Sequence, residues 1–170
     1  MNNITLIGMP GAGKSTVGVV LSKILNFNFT DTDLLIQRRY GKKLYEIAEE
    51  RGTEGFFDAE MQTILDASFK HTVIATGGSV IYRDETMRYL KEISTVVYID
   101  VSLDELQKRV NNLFKRGVVA QHATTIPGIY KERCDLYEKY ADIKVTTNGC
   151  TLEQSALKIA DALKAYAEKA

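Results

Sequence analysis

From residue 8 the chain reads Gly8-Met9-Pro10-Gly11-Ala12-Gly13-Lys14-Ser15, which fits G-x-x-x-x-G-K-[ST] at every fixed position. Glycines in this loop let successive backbone N–H groups curl around a phosphate without a Cβ in the way. The helix that follows aims its positive dipole end at the same anion. The pattern works only between a strand and a helix, and both are present. Ile4-Thr5-Leu6-Ile7 is a short apolar run that reads as a buried strand, and Ser15 to Leu25 has helical apolar spacing. A glycine-rich turn without a ligand would account for the loop alone, not for the loop in that setting. Lys14 can then reach the β- and γ-phosphates and the Ser15 hydroxyl can ligate Mg²⁺, so the expected cofactors are ATP and Mg²⁺.

The rest of the chain continues the alternation. Phe27–Thr30, Thr72–Ala75, Val96–Ile99 and Ile143–Val145 read as further buried strands. Helical spacing covers Asp33–Ala67, with breaks at Gly41 and Gly52, then Asp84–Glu92, Ser102–Asn112, Ile126–Tyr140 and Leu152–Glu168. Ser102 with Glu105, and Thr151 with Gln154, fit capping boxes, and Pro127 suits a first helical turn. Alternation of this kind predicts an α/β fold: a mainly parallel sheet covered by helices, with its ligand at the carboxyl ends of the strands. Between Phe114 and Thr125 the helical period is lost, which predicts a mobile lid over approximately residues 113–125.

Bulk properties narrow the partners. At 170 residues the chain is expected to form one domain, 1–170. Its 22 Lys plus Arg balance its 22 Asp plus Glu, so no charge excess points to nucleic acid or a membrane surface. Cys134 and Cys150 lack metal-ligand spacing and suit a reducing compartment. No signal peptide or membrane-length apolar run is evident, and a cytoplasmic monomer is the expectation.

Two further elements carry chemistry. Asp31-Thr32-Asp33 ends the second strand, where carboxylates at i and i+2 can project into one cleft beside the phosphates. One could support Mg²⁺ while the other orients an attacking hydroxyl; a helix N-cap with a first-turn acid is the plainer reading. Ala75-Thr76-Gly77-Gly78-Ser79 follows the third strand, and its glycine pair allows close backbone approach to a ligand or simply a turn.

Taken in order, these elements resemble the shikimate kinase family, and the resemblance runs from Gly8 to about Val145. Asp31-Thr32-Asp33 with Gly41-Lys42-Lys43, Gly52-Thr53-Glu54-Gly55-Phe56 with Glu60, and Lys115-Arg116-Gly117-Val118-Val119 are similar to successive family segments. So is Glu132-Arg133-Cys134-Asp135-Leu136-Tyr137 with Ala141-Asp142. The resemblance implies a P-loop NTPase fold with a five-stranded parallel sheet of order 2-3-1-4-5. It also implies transfer of a phosphoryl group from ATP to shikimate, giving shikimate 3-phosphate. By position, Gly11, Ala12, Gly13, Lys14, Ser15 and Thr16 would hold the ATP phosphates, with Ser15 and Asp31 on the metal and Arg109 near the adenine. Asp33 would orient or deprotonate the attacking hydroxyl. Arg116 on the lid would close over the transferring phosphoryl group, Arg133 would pair with the substrate carboxylate, and Gly77 and Gly78 would offer N–H groups. The catalytic set is then Lys14, Asp33 and Arg116.

The pattern is broken on the acceptor side. Where the family carries a second carboxylate-binding arginine this chain has Phe57, its third glycine is Ser79, and its lid proline is Gly117. Losing a charge-assisted hydrogen bond costs roughly 1.5–3 kcal/mol, about 10- to 150-fold in affinity. Three readings follow: a shikimate kinase in which Arg38, Arg39 or Arg51 compensates, a kinase for another hydroxylated small molecule lying on Phe57, or a low-turnover ATP-binding module. A nucleoside monophosphate kinase ranks lower, because the lid has no arginine cluster.

Overall fold

A strand buried on both faces cannot alternate polar with apolar residues, and β1 (Ile4–Ile7) and β3 (Thr72–Ala75) are buried at all four positions. In the computed structural model, which describes residues 3–109 and 118–169, these two strands lie side by side near the middle of the sheet. β2 (Asn28–Asp31), β4 (Thr95–Asp100) and β5 (Ile143–Thr146) complete it in the order β2-β3-β1-β4-β5, with every pair parallel. That is the order implied by the family resemblance. β2 begins and ends one residue later than its apolar run suggests, because Asn28 N–H pairs with the His71 carbonyl and Asp31 stays in register with Ala75.

Seven helices are described: α1 (Lys14–Leu25), α2 (Thr32–Tyr40), α3 (Leu44–Leu65), α4 (Asp84–Ile93), α5 (Leu103–Arg109), α6 (Ile126–Tyr140) and α7 (Leu152–Ala167). A 3₁₀ turn at Val80–Tyr82 leads into α4. The expected breaks fall in place: α2 stops at Gly41, and α3 kinks at Gly52, whose φ of 68° and ψ of 179° are not helical. Thr151 and Gln154 form the full capping box of α7. Ser102 supplies only one half of its own, accepting from the Glu105 N–H at 3.4 Å. Among the described residues no helix is long and apolar enough to cross a membrane.

Register fixes where the site must be. Ala75 of β3 is opposite Leu6 of β1 on one side and Asp31 of β2 on the other. The residues that follow these three positions therefore leave the sheet along one edge: the loop at Gly8, the helix start at Thr32-Asp33, and Thr76-Gly77-Gly78. The main core fills both faces of the sheet. A separate apolar cluster of Ile36, Ile47, Phe56, Phe57 and Ala59 sits between α2 and α3, with Tyr82 and Val119 packed against it.

α1 lies close on the sheet because Gly18 has no side chain. A Cβ there would stand 2.8 Å from Phe29 Cε2 and 3.2 Å from Leu6 Cδ1. Gly18→Ala is expected to lower stability by about 1–3 kcal/mol, because overpacking outweighs the helix propensity gained. Thermal denaturation checks this, and an unchanged melting temperature would contradict it.

Candidate active site

The loop from Gly8 to Ser15 is held open by backbone conformations that side chains resist, with φ of +144° at Gly8, +83° at Gly11 and +92° at Gly13. Gly13 begins α1 without any side-chain cap, so the first N–H groups of the helix are left for an anion. Lys14 folds back across the loop and donates from Nζ to the carbonyls of Gly8 (2.8 Å) and Met9 (2.9 Å). Burial pulls its pKa down to about 8, partly offset by the nearby Asp33.

Asp31 serves two purposes at once. Its Oδ1 caps α2 by accepting the Asp33 N–H at 2.9 Å, and its Oδ2 accepts from the Ser15 hydroxyl at 2.5 Å. The plain capping reading is thus correct, and it leaves one carboxylate oxygen beside Ser15. A hydroxyl and a single carboxylate oxygen suit Mg²⁺, a hard cation that keeps several waters and takes its remaining ligands from substrate phosphates. No cluster of three or more His, Cys, Asp or Glu able to cage a metal occurs among the described residues.

Asp33 is one helical position inside α2, and its carboxyl is pushed up to about 6 by burial, helped by Asp31 and opposed by Lys14. It faces a cavity of about 370 Å³ whose lining also includes Lys14, Ser15, Gly78, Phe56 and Arg133. A second cavity, about 430 Å³, shares Gly11, Gly13, Thr16 and Arg109 with the first and extends past Cys150 to Thr151. Together they give room for an extended nucleotide and a small acceptor. Arg109 is exposed and ion-paired with Glu105 at 3.0 Å, so it is a surface arginine that also borders both cavities. Arg116 lies outside the described residues, as does the 113–117 part of the expected lid; Val118 and Val119, which follow, line the first cavity.

The glycine pair is there for space. A Cβ on Gly77 would stand 2.6 Å from Glu60 Oε1 and 2.8 Å from Asp33 Oδ1, and one on Gly78 would stand 2.7 Å from Arg133 Nη1. The Gly77 N–H does not offer itself to a ligand as expected, since it donates to the Thr32 hydroxyl at 3.3 Å. Beneath the pair, Glu60 is 2 % exposed and burial pushes its carboxyl up to about 8. Its Oε2 accepts from Ser79 at 2.8 Å, while Oε1 has no hydrogen-bond partner among the described residues. Ser79, one of the departures from the family pattern, thus gives Glu60 its one hydrogen bond among the described residues.

Arg133 comes from the buried face of α6, between Ile129 and Tyr137, and is 1 % exposed. Its Nε donates to the Tyr82 hydroxyl (3.0 Å) and its Nη2 to the Val119 carbonyl (2.5 Å), both neutral acceptors. Among the described residues it makes no ion pair. A buried guanidinium without a counter-ion is a site for an anion.

Phe57 is corrected as an acceptor-binding residue. It is 1 % exposed, its ring stacks on Tyr82 with centroids 4.7 Å apart, and Phe56, not Phe57, lines the cavity. The suggested substitutes for the missing arginine are engaged elsewhere. Arg39 pairs with Asp66, the Arg51 guanidinium lies over the Tyr40 ring, and neither they nor Arg38 reach the cavity lining. Reasoning from sequence placed Phe56 and Val119 in family-like segments without giving either a site role, and it missed Tyr82 and the Thr32 contact. Phe56 also had a local signal, since it is four residues before Glu60 and so shares its helix face.

Comparison with known proteins agrees with this geometry. The family model described as shikimate kinase matches residues 10–164. A shikimate kinase of Clostridium botulinum (strain Eklund 17B / Type B) is 36% identical over 154 residues, covering 90% of this chain and 92% of that protein. One from Thermodesulfovibrio yellowstonii is 37% identical over 162 residues, covering 94% and 93%. Among solved structures, the shikimate kinase of Acinetobacter baumannii in complex with shikimate superposes with a TM-score of 0.88 at 30% identity, covering 97% of this chain and 94% of that one. That of Aquifex aeolicus gives 0.83 at 33% identity, covering 97% and 98%. With its loop, its strand-end carboxylates and its buried arginine in one cleft, this chain belongs to the shikimate kinase family, small-molecule kinases that transfer a phosphoryl group from ATP to a hydroxyl.

Proposed function

We propose that this chain, acting as a single cytoplasmic kinase domain and as a monomer, phosphorylates the 3-hydroxyl of shikimate through the following division of labour. The observation that carries the acceptor assignment is Arg133, a buried guanidinium at the cavity wall whose hydrogen-bond partners are neutral. The acceptor's carboxylate is its counter-ion, and this single clamp serves where the family pattern has two. Phe57 offers no surface to a different acceptor, so the reading built on it loses its ground.

The loop amides from Gly11 to Thr16 hold the ATP phosphates, with the adenine toward Arg109 and Thr151. Lys14 exchanges its two carbonyl partners for phosphate oxygens. Ser15 and Asp31 would hold Mg²⁺, which would screen the phosphate charge and orient the phosphates. Asp33, ionised above its raised pKa, orients the acceptor hydroxyl and takes its proton. As that oxygen bonds to the γ-phosphorus, the bond to the β-bridging oxygen breaks and ADP leaves. Arg116 meets the charge that spreads over the transferring group. Arg133 and the edge of Gly78 fix the acceptor's far end, which converts an encounter into an aligned attack.

ADP release with Mg²⁺, ATP and shikimate tests the reading. Saturable turnover that falls by at least about 100-fold in Lys14→Ala is expected; turnover on other polyols or nucleosides but not shikimate would overturn it. Acidity should matter in a defined direction. kcat/KM for the acceptor should fall as pH drops through about 6, where Asp33 takes up a proton. A profile flat from pH 5 to 7 would remove Asp33 from its role. Because the folded state raises the Asp33 pKa, ionising it costs stability that is fully recovered at low pH. Asp33→Asn should therefore raise the melting temperature at pH 7, with the gain shrinking toward pH 4, while abolishing turnover.

A further inference from the structure

The acceptor site proposed above depends on one guanidinium, and the residues around it show how that group is kept in place without being neutralised. Arg133 is fully buried, yet the carboxylate nearest to it in sequence, Glu132, does not touch it; adjacent residues on a helix point to different faces. Tyr82 stands between the two. Its hydroxyl accepts from Arg133 Nε at 3.0 Å and donates to Glu132. Glu132 is anchored in turn by the N–H groups of Gln121 (3.1 Å), His122 (3.3 Å) and Ala123 (3.1 Å). Although partial burial acts the other way, these hydrogen bonds hold its carboxyl below the usual range. The Tyr82 ring also lies under the guanidinium, with Arg133 Cζ 5.1 Å from its centroid. The same ring is stacked on Phe57, with centroids 4.7 Å apart.

We infer that Tyr82, seated on Phe57, is a positioning residue for acceptor binding: it orients Arg133 toward the acceptor carboxylate. The phenol fixes Nε, the Val119 carbonyl fixes Nη2, and Nη1 stands at the cavity side beside Gly78. A carboxylate in the place of the phenol would fix the guanidinium equally well but would quench its charge. A neutral hydroxyl, which keeps Glu132 out of direct contact with the guanidinium, leaves that charge for the ligand. Phe57 then has a use at the position where the family pattern has arginine. An aromatic face there orients the remaining guanidinium through Tyr82, in place of supplying a second one.

This inference rests on the proposed shikimate reaction, so its test compares shikimate with its uncharged methyl ester. Tyr82→Phe keeps the ring and both stacks and removes only the hydroxyl. It should raise KM for shikimate about 5- to 10-fold, less than the loss of a direct hydrogen bond to a charged group, because the hydroxyl acts on the acceptor only through Arg133. It should leave kcat and the KM for ATP within about twofold, and change kcat/KM for the methyl ester by less than about twofold. Phe57→Leu, which removes the aromatic platform and keeps the apolar character, should show the same split between acid and ester. An unchanged KM for shikimate in Tyr82→Phe, or equal losses on acid and ester, would overturn the inference and assign Tyr82 to packing alone. Absence of shikimate turnover in the unmodified protein would instead overturn the proposed function.

Discussion

Four ionisable side chains, Lys14, Asp33, Glu60 and Arg133, meet around Gly77 and Gly78, and the rest of the site depends on that crowding. Glu60 Oε1 and Asp33 Oδ1 press on the space a Gly77 side chain would fill, and Arg133 Nη1 on that of Gly78. Burial is expensive for such groups. It raises the carboxyls of Asp33 and Glu60 and lowers the ammonium of Lys14, each against its ordinary charge state. A fold tolerates this where ligand charges complete the set; in the proposed division of labour these are phosphates for Lys14, an acceptor hydroxyl for Asp33 and a carboxylate for Arg133. Parallel register brings the contributors together, because Leu6, Ala75 and Asp31 are aligned across β1, β3 and β2.

Much of this was legible in the chain. The strand–loop–helix setting of Gly8–Ser15, the helix breaks at Gly41 and Gly52, and the bounds of α6 all follow from local signals: glycine punctuation, apolar periodicity and capping residues. β1 and β3 are readable for the same reason, since strands buried on both faces leave uninterrupted apolar runs. What could not be read depends on contacts far apart in sequence. Tyr82 and Arg133 are 51 residues apart, and nothing local in either segment announces the hydrogen bond between them. Thr32 and Gly77 are 45 apart, so the occupied N–H of Gly77 was equally hidden.

Phe57 shows how a departure from a pattern can mislead when it is read by chemistry alone. Losing a guanidinium from a binding site suggests weaker binding or a new ligand. Packing gives another answer: the phenylalanine joins Ile36, Ile47, Phe56 and Ala59 beneath the acceptor cavity and supports Tyr82. Ser79 is read in the same way. Its hydroxyl partners Glu60, a buried acid that would otherwise have no hydrogen bond among the described residues. Both departures thus adjust how the remaining polar groups are held, and neither reaches the nucleotide loop.

The central claim is that the acceptor carboxylate is the counter-ion of Arg133. A crystal structure of the full chain with shikimate bound tests it most directly. The account predicts a carboxylate oxygen within about 3 Å of Arg133 Nη1, with a ring hydroxyl turned to Asp33. A carboxylate directed to solvent or to Lys14, with Arg133 still bonded only to Tyr82 and Val119, would contradict it.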